Sequence, residues 1–248
     1  LAYADRITTV SPTYAREILT PRFGMGLEGV LQARAGVLSG ILNGIDTEVW
    51  NPATDQALAR GYDARSLPRK AENRALICER LGLDPDHDGP LFCVISRLTE
   101  QKGLDALAAA VPHLVAGGGQ LAVLGSGDPT LEAAFKAAAE AHPGKVGTYI
   151  GYDEAFSHLL QGGSDAILIP SRFEPCGLTQ LYGLRYGTLP VVARTGGLAD
   201  TVIDANLAAI RAGAATGFLF DEVSQAGIEA ALDRVFRTYA AKDDWQVL

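Results

Sequence analysis

The sequence predicts an α/β protein built on a doubly wound parallel sheet, and three observations lead to this prediction. Short apolar segments alternate with segments of helical periodicity from residue 91 onward. The apolar segments, such as LFCVIS at residues 91–96 and LPVVA at residues 189–193, are continuous, which is typical of strands covered by helices on both faces. The composition is that of a globular protein, with 48% hydrophobic and 20% charged residues in a chain of 248. In such a fold, ligands bind at the carboxyl ends of the strands.

The N-terminal part of the chain is less regular. Residues 6–10 are predicted to form a strand, and Ser11 is predicted to cap a helix that has Pro12 in its first position. Residues 24–34 are interpreted as a glycine-rich loop, and residues 37–42 as a second apolar run.

The rest of the chain carries the regular alternation. After a polar loop, a helix is predicted over residues 69–81, ending at Gly82. The strands that follow are predicted at residues 91–96, 120–124, 146–150, 166–169, 189–193 and 218–220. The helices of this part are predicted at residues 104–115, 131–141, 154–160, 177–186, 198–203 and 224–241. Repeated βα units of this kind favour a parallel sheet with its strand ends at one edge.

The net charge argues against a nucleic-acid partner. The chain has 21 Lys and Arg residues against 29 Asp and Glu, which gives a formal net charge of −8. Scattered cations on an acidic chain are a poor match for a phosphate backbone, although a few local cations suffice for a small anion. No apolar run approaches the ~18 residues that a bilayer span needs. We therefore expect neither nucleic-acid binding nor a membrane association.

Cysteine and histidine usage predicts a reduced protein without a structural metal. The odd number of cysteines and the lack of a CxxC motif argue against a disulfide framework and favour the cytoplasm. None of the four histidines has the spacing of a metal-binding pair. The residues concerned are Cys78, Cys93, Cys176, His87, His113, His142 and His158.

The two ends of the sequence suggest a piece of a longer polypeptide. The chain opens on LAYADRITTVSPTYAREIL without an initiator Met or a signal peptide, and it stops at DDWQVL. We expect further sequence on both sides.

Two cations follow the strand predicted at residues 91–96. Arg97 and Lys102 flank the start of the next helix, with Gly103 between Lys102 and that helix. Helix N-termini attract anions through their free N–H groups and the macrodipole. The alternative is a pair of solvated surface charges, but the position at the end of a buried strand favours a phosphate or diphosphate site.

A second candidate site follows the strand predicted at residues 166–169. Ser171 and Glu174 come after this strand, and the amides of Gly177, Leu178 and Thr179 are predicted to open a helix. A carboxylate beside a helix N-terminus suits a sugar attached to a phosphate, because the carboxylate accepts from hydroxyls and the amides donate to phosphoryl oxygens. The alternative is that Glu174 only interacts favourably with the helix dipole.

Other strand ends carry weaker signals. Gly151 and Tyr152 follow one strand, and an aromatic ring there either stacks on a flat base or caps the sheet edge. Gly196 and Gly197 follow another, and they either let a ligand approach the backbone or form a flexible turn. The GSGD segment at residues 125–128 lacks the third glycine of a dinucleotide fingerprint, so a tight turn is favoured, with a close approach of the backbone to a ligand as the alternative.

The GMGLEG segment at residues 24–29 matches the spacing of a dinucleotide-binding fingerprint, but it follows a predicted helix. The fingerprint requires a strand, a turn and a helix in that order. We interpret this match as accidental, which argues against a NAD-dependent oxidoreductase.

The motifs SRLTEQKGLD, IPSRFEPCGLTQLYGLRYGTLPVV and RTGGLADTV together closely resemble bacterial glycogen and starch synthases. The resemblance runs from about residue 5 to residue 221. It implies a GT-B fold with two Rossmann-like domains, of which this chain is the C-terminal, donor-binding one. The implied division is the end of the N-terminal domain at residues 1–36, a linker at residues 37–90, and the nucleotide-sugar domain at residues 91–248.

The resemblance also implies roles for individual residues. Arg97 and Lys102 match the pair that holds the donor diphosphate, Tyr152 matches the ring that stacks on adenine, and Glu174 matches the glutamate beside the glucose. The other residues implied at the donor site are Asn43, Gly151, Ser171, Cys176, Gly177, Leu178, Thr179, Gly196 and Gly197. Many GT-B relatives have a second glutamate eight residues after the first, whereas Tyr182 stands there in this sequence.

The function implied is the transfer of glucose from ADP-glucose to the nonreducing end of an α-1,4-glucan with retention, without a cofactor or a metal. The implied partners are ADP-glucose or ADP, the glucan and the N-terminal domain, and this half is expected to be inactive alone. Three alternatives remain: a UDP-sugar glycosyltransferase or nucleotide-sugar epimerase, a NAD-binding oxidoreductase, and a nucleotide-binding module without catalysis.

Overall fold

The computed structural model describes all 248 residues, and its main feature is a six-stranded parallel sheet beside a separate two-stranded sheet. The strands are β1 Ile7–Val10, β2 Leu38–Ile41, β3 Leu91–Ile95, β4 Gln120–Gly125, β5 Val146–Ile150, β6 Ala166–Ile169, β7 Leu189–Ala193 and β8 Phe218–Phe220. The helices are α1 Pro12–Glu17, α2 Glu28–Ala33, α3 Lys70–Leu81, α4 Leu104–Ala116, α5 Pro129–Ala141, α6 Glu154–Gly163, α7 Thr179–Tyr186, α8 Gly196–Thr201, α9 Leu207–Arg211, α10 Gln225–Ala240 and α11 Lys242–Val247. Three 3-10 turns lie at Ala35–Val37, Leu67–Arg69 and Glu100–Lys102.

The strand order of the large sheet is β5-β4-β3-β6-β7-β8, and every neighbouring pair is parallel. The chain therefore starts in the middle with β3, proceeds outward to β5, and then crosses back to β6 and proceeds the other way. Helices that follow β3 and β6 consequently depart to opposite faces. This reversal leaves a crevice at the carboxyl ends of β3 and β6, which is where doubly wound proteins bind their ligands. The predicted fold class is confirmed.

Alternate residues of the central strands belong to two separate cores. In β3, Phe92 and Val94 belong to a core of 27 buried residues that includes α4 and α10. Leu91 and Cys93 belong to a core of 14 buried residues that includes α3 and α6. Because successive side chains of a strand point to opposite faces, this division shows that helices cover both faces of the sheet.

The N-terminal segment forms a small unit of its own. Strand β1 pairs with β2 in parallel from Ile7 opposite Leu38 to Val10 opposite Ile41. The predicted cap is confirmed, since the Ser11 hydroxyl accepts from the N–H of Tyr14 at 3.0 Å. Strand β2 lies inside the stretch predicted as a linker, yet it pairs with β1; the domain boundaries themselves stay a prediction.

The interpretation of residues 24–34 as a glycine-rich loop is wrong in part, because α2 lies within them. The three glycines of residues 24–34 led to the loop prediction, although this segment contains a helix whose Leu31 is buried against Ile7 and Ile18. Helices α9 and α11 were not predicted either. They have five and six residues, which is too few for the apolar periodicity of a helix to be recognised in the sequence. No helix of the chain is both long and apolar enough to cross a bilayer.

Candidate functional site

The loops after β3 and β6 meet at the crevice and enclose a cavity of about 200 Å³. We name it the Lys102 cavity. Its lining combines the end of β3 with the 3-10 turn before α4, and the loop after β6 with the start of α7. The lining residues are Ile95, Ser96, Arg97, Lys102, Leu104, Leu168, Ile169, Pro170, Ser171, Glu174, Gly177, Thr179 and Gln180. The strand order thus brings together cations and a carboxylate that lie more than 70 residues apart in the sequence.

An ion pair crosses the Lys102 cavity. The ammonium nitrogen of Lys102 lies 2.5 Å from Oε2 of Glu174, and the two side chains are only 19% and 12% exposed. The Ser171 hydroxyl, which is fully buried, donates to the same oxygen at 3.2 Å. Both contacts use Oε2, so Oε1 of Glu174 remains available to a ligand hydroxyl. A mostly buried ion pair of this geometry holds both groups in place before a ligand arrives.

Gly103 explains how Lys102 comes so close to the loop after β6. Its φ of +67° is the left-handed conformation, and a Cβ there would lie 1.9 Å from the carbonyl oxygen of Pro170. Both the conformation and the close approach require glycine. Gly103 therefore joins the 3-10 turn to α4 and lets the two loops touch.

A second set of contacts ties the loop after β6 to α4. The guanidinium of Arg172 donates to both carboxylate oxygens of Asp105, at 2.6 and 2.8 Å, and to the carbonyl of Glu100. The hydrogen bonds from Arg172 hold the pKa of Asp105 below its ordinary value. This bidentate pair orients the backbone that carries Glu174.

A second cavity adjoins the first, and we name it the Tyr152 cavity. Its walls are the ends of β3, β4 and β5 and the first turns of α6. The lining residues are Ile95, Ser96, Arg97, Leu124, Gly125, Ser126, Gly151, Tyr152, Asp153 and Ser157. Arg97 is exposed and lines both cavities, so one cation faces the boundary between them.

The side chain of Tyr152 has few contacts with the rest of the protein. Its side chain is 85% exposed, and its hydroxyl makes one long contact to Glu154 at 3.3 Å. The negative charge of Glu154 raises the pKa of Tyr152, so the phenol stays neutral near pH 7. The next residue is better held, since Asp153 caps α6 by accepting from the N–H of Phe156 at 2.8 Å.

The beginning of α7 is close to the prediction. The helix starts at Thr179, two residues later than expected, and Gly177 has a φ of +71°. Leu178 is exposed, whereas Cys176 is buried. The buried amide of Gln180 donates to the carbonyls of Cys176 and Gly177 at 3.0 and 3.1 Å, which fixes the turn before the helix.

The paired glycines after β7 make their close approach to protein backbone. A Cβ on Gly196 would lie 1.9 Å from the carbonyl oxygen of Glu174, and one on Gly197 would lie 2.3 Å from that of Cys176. The N–H of Gly197 donates to the carbonyls of Glu174 and Pro175. The two glycines thus support the Glu174 loop, and a contact between them and the donor stays a prediction.

Asn43 and Tyr182 lie outside both cavities. Asn43 is exposed between β2 and Asp46, and its predicted role at the sugar stays a prediction. The ring of Tyr182 stacks on Trp50 at 3.6 Å between centroids, and Trp50 also stacks on His158 at 3.8 Å. The position that holds a glutamate in many GT-B relatives therefore belongs to an aromatic stack in this chain.

The structure adds residues that the sequence argument missed. Ser96 and Ser126 line the cavities, and two residues of the segment for which a tight turn was favoured, Gly125 and Ser126, lie in the wall of the Tyr152 cavity. The position of this segment after β4 was the available signal. The GMGLEG segment follows α1 rather than a strand, so the argument against a dinucleotide fingerprint is confirmed.

The side chains that could bind a metal or form a disulfide are not grouped together in this chain. No group of three or more His, Cys, Asp or Glu side chains is arranged to hold a metal ion. All three cysteines are free thiols, and each is buried.

Sequence comparison assigns the family. The profile of the group 1 glycosyl transferases matches residues 80–246, which include β3 to β8 and both cavities. The chain belongs to the group 1 glycosyltransferase family. A second profile, that of the starch synthase catalytic domain, matches residues 1–33 of this glycosyltransferase. The resemblance stated from the motifs is confirmed.

Individual relatives show which members of the family this chain is similar to. A glycogen synthase from Roseobacter denitrificans is 65% identical over 245 residues, covering 99% of this chain and 51% of the relative. A glycogen synthase from Novosphingobium aromaticivorans is 60% identical over 248 residues, covering 100% of this chain and 51% of the relative. The chain thus spans about half the length of the curated relatives it matches.

Solved structures give the same picture. The catalytic domain of starch synthase IV from Arabidopsis thaliana, bound to ADP and acarbose, matches with a TM-score of 0.90 and 38% identity, over 98% of this chain and 50% of that one. A sucrose-phosphate synthase from Thermosynechococcus elongatus has a TM-score of 0.63 at 20% identity, over 99% and 52% of the two chains, and this likeness concerns the fold alone.

Proposed function

We propose that this chain is the donor-binding half of a glucosyltransferase that transfers glucose from ADP-glucose to the nonreducing end of an α-1,4-glucan with retention of configuration. The observation that carries the proposal is the Lys102–Glu174 ion pair at the topological switch point. It puts a cation and a hydroxyl acceptor side by side, which is what a sugar attached to a diphosphate requires. The similarity to glycogen synthases supports the choice of glucose and glucan.

In this proposal the two cavities divide the donor between them. The Tyr152 cavity holds the adenine, with the exposed phenol ring stacking on the base. The diphosphate lies at Arg97, which lines both cavities, and extends to Lys102 and the amides of residues 177–179 at the start of α7. The glucose lies against Glu174, whose Oε1 accepts from a sugar hydroxyl.

The chemistry follows from this placement. The acceptor hydroxyl oxygen forms a bond to the anomeric carbon on the same face from which the diphosphate leaves, and the bond from that carbon to the phosphate oxygen breaks. The acceptor proton passes to the departing phosphate oxygen, so ADP and a lengthened glucan are the products. Arg97 and Lys102 offset the charge that grows on the leaving diphosphate, and this electrostatic stabilisation lowers the barrier. No metal or cofactor enters the proposed reaction.

The proposed partners include the remainder of the polypeptide. The acceptor glucan needs a second wall to align its hydroxyl, and we assign that wall to an N-terminal Rossmann-like domain that continues the β1–β2 sheet. Its two strands are parallel and incompletely buried, whereas parallel strands are ordinarily covered on both faces. Asn43, the second residue after β2, then lies at the cleft. We propose a cytoplasmic protein, since three free cysteines suit a reducing compartment.

The test is incorporation of radiolabelled glucose into glycogen, with ADP-glucose and UDP-glucose as alternative donors. The full-length polypeptide is expected to use ADP-glucose. This chain alone is expected to bind ADP weakly and to transfer nothing, because alignment of the acceptor can supply about 7–11 kcal/mol of the barrier. Efficient transfer by this chain alone would refute the division of the site, and a full-length protein that prefers UDP-glucose would refute the donor assignment.

A further inference from the structure

Two short helices from distant parts of the sequence, α1 and α8, contact each other through carboxylates at both of their ends. At one end Asp200 of α8 accepts hydrogen bonds from the N–H of Thr13 at 2.9 Å, the hydroxyl of Thr13 at 2.6 Å and the hydroxyl of Ser11 at 2.5 Å. Burial disfavours the charged form of Asp200, but these hydrogen bonds outweigh it and hold the pKa of Asp200 below its ordinary value. Asp200 therefore fastens the start of α1.

At the other end the relation is reversed. Glu17, the last residue of α1, accepts through Oε1 from the N–H of Gly196 at 2.9 Å and from the hydroxyl of Thr195 at 3.1 Å. Glu17 thus holds the first turn of α8, which immediately follows β7. We name the two carboxylates, Asp200 and Glu17, the carboxylate clasp. Each contact joins residues that are 178 to 189 positions apart in the chain.

The two carboxylates of the clasp, Glu17 and Asp200, differ in the segments that lie next to them. The first turn of α8 is in direct backbone contact with the Glu174 loop, because the N–H of Gly197 donates to the carbonyls of Glu174 and Pro175 at 3.2 and 3.1 Å. The gap between Gly196 and the carbonyl of Glu174 is too small even for a methyl group. A shift of Gly196 therefore displaces the backbone of Glu174. Asp200 lies at the far end of α8 from this contact.

Aromatic contacts join the same two segments. Phe173, the residue before Glu174, meets the ring of Tyr14 edge-on at 5.5 Å and stacks with Phe23 at 5.7 Å. Both rings belong to the N-terminal segment that carries Glu17. The Glu174 loop is thus held on one side by Lys102 and on the other by residues 14–23.

We infer that Glu17 is a positioning residue for the donor site, acting through Gly196 and Gly197 on the backbone of Glu174. This inference rests on the proposed function only for its catalytic consequence. The hydrogen bonds of Glu17 transmit the docking of the N-terminal segment to the loop that faces the sugar. When the hydrogen bonds of Glu17 break, the loop loses one of its supports, while the Tyr152 cavity, which α8 does not line, stays as it is.

The matched pair of variants is Glu17→Ala and Asp200→Ala in the full-length polypeptide. Both remove one carboxylate of the clasp, but only Glu17 touches the turn beside the Glu174 loop. Hydrogen exchange of the amides in residues 173–178 is expected to quicken about tenfold in Glu17→Ala, the loss of one charge-assisted support. Exchange in the same residues is expected to change little in Asp200→Ala. Equal exchange in the two variants would overturn the inference, whatever the reaction.

Turnover gives the second readout. In Glu17→Ala, kcat for transfer from ADP-glucose is expected to fall about tenfold to 100-fold, since a misplaced group next to the reacting atoms costs that much. The Kd for ADP is expected to stay within twofold, and Asp200→Ala is expected to keep near-normal kcat. A merely structural loss would lower kcat and raise the Kd for ADP in both variants, and that result would contradict a positioning role.

The conservative variant Glu17→Gln separates geometry from charge. Glutamine keeps an acceptor oxygen for the N–H of Gly196, so Glu17→Gln is expected to recover most of the turnover that alanine loses. If glutamine is as damaging as alanine while loop exchange is normal, the inference fails. If the unaltered enzyme transfers no glucose from ADP-glucose, the proposed function fails, and the exchange experiment still decides whether Glu17 supports the loop.

Discussion

The Lys102 cavity and the Tyr152 cavity meet at Arg97, but they differ in how firmly their side chains are held. Lys102 and Glu174 are mostly buried and paired, and the backbone behind Glu174 is fastened by the bidentate pair of Arg172 with Asp105. Tyr152 stands in the open, with a single long hydrogen bond. The side chains of the Lys102 cavity are thus in place before a ligand binds. The ring of Tyr152, in contrast, takes its final position only when a ligand binds.

This difference indicates which side chains of the site must be held rigidly. Charge that develops on a leaving group is stabilised best by groups already in place, because no reorganisation is then required during the reaction. Stacking on a base tolerates a mobile ring, since the base itself can fix the ring on binding. We therefore expect changes in the Lys102 cavity to lower both turnover and ADP affinity, and changes in the Tyr152 cavity to act on nucleotide affinity alone.

The largest effect is expected for Lys102→Ala in the full-length enzyme. Turnover should fall about 100-fold to 1,000-fold, because one charge-assisted contact to the leaving group is lost and Glu174 is left without its partner. Arg97→Ala should act in the same direction. The control is Lys136→Ala, an exposed lysine on α5 that should leave turnover unchanged. Near-normal turnover in Lys102→Ala, measured by glucose incorporation, would remove the basis for the anion site.

Gly103→Ala tests the rigidity of the Lys102 cavity directly. Gly82 is the matched control, because its φ of +65° is nearly the same as that of Gly103 at +67°, but a Cβ there meets no neighbour. Gly82→Ala should cost about 1–2 kcal/mol of unfolding free energy from the left-handed backbone. Gly103→Ala should cost about 1–3 kcal/mol more, because its Cβ overlaps Pro170. Equal urea denaturation midpoints for the two variants would mean that the loops can separate freely.

For the Tyr152 cavity, Tyr152→Ala should weaken ADP binding by about 1–3 kcal/mol, the range for a base stacked on an aromatic side chain. Tyr152→Phe should be nearly silent in the same calorimetric titration, since the ring face is retained. Turnover at saturating donor should change little in either variant. If phenylalanine is as damaging as alanine, the hydroxyl matters rather than the ring.

The smallest effect is expected for Asp105→Asn, which breaks the pair with Arg172. The two side chains are 31% and 41% exposed, so the pair should contribute only about 0.2–1 kcal/mol at pH 7. Because the folded-state pKa of Asp105 is lowered, this contribution is present above its ordinary pKa and is lost as the pH falls through the folded value. Unfolding free energies of the two proteins should therefore converge in acid, once the pH lies well below the ordinary pKa of an aspartate. A difference that persists at that pH would point to another cause.

The sequence predicted the sheet well because its signals are local. Continuous apolar runs identified β3 to β8, and the residues after them, Arg97, Lys102 and Glu174, were found by their place at strand ends. The strand order then brought these loops to one cavity, which no local pattern could establish. The six-residue α2 was missed because its burial against Ile7 and Ile18 outweighs the glycines around it.

The sequence alone could not predict contacts between segments that lie far apart in the chain. Glu17 and Gly196 are 179 positions apart, and neither carries a pattern that pairs it with the other. The stack of Trp50 on Tyr182 is of the same kind. For Gly196 and Gly197 the sequence offered a ligand approach or a flexible turn, and it gave no sign that the backbone of residues 174 and 176 packs against them.

The most direct test of the account is a calorimetric titration of this chain with ADP, UDP and NAD, beside its Lys102→Ala variant, with folding verified by circular dichroism. We expect one ADP to bind per chain, and UDP to bind more weakly because its smaller base covers less of the Tyr152 ring. NAD should not bind in preference to ADP. The Lys102→Ala variant should lose ADP affinity clearly. A well-folded chain that binds no ADP, or that binds it equally well without Lys102, would contradict the assignment of the switch-point crevice as the donor site.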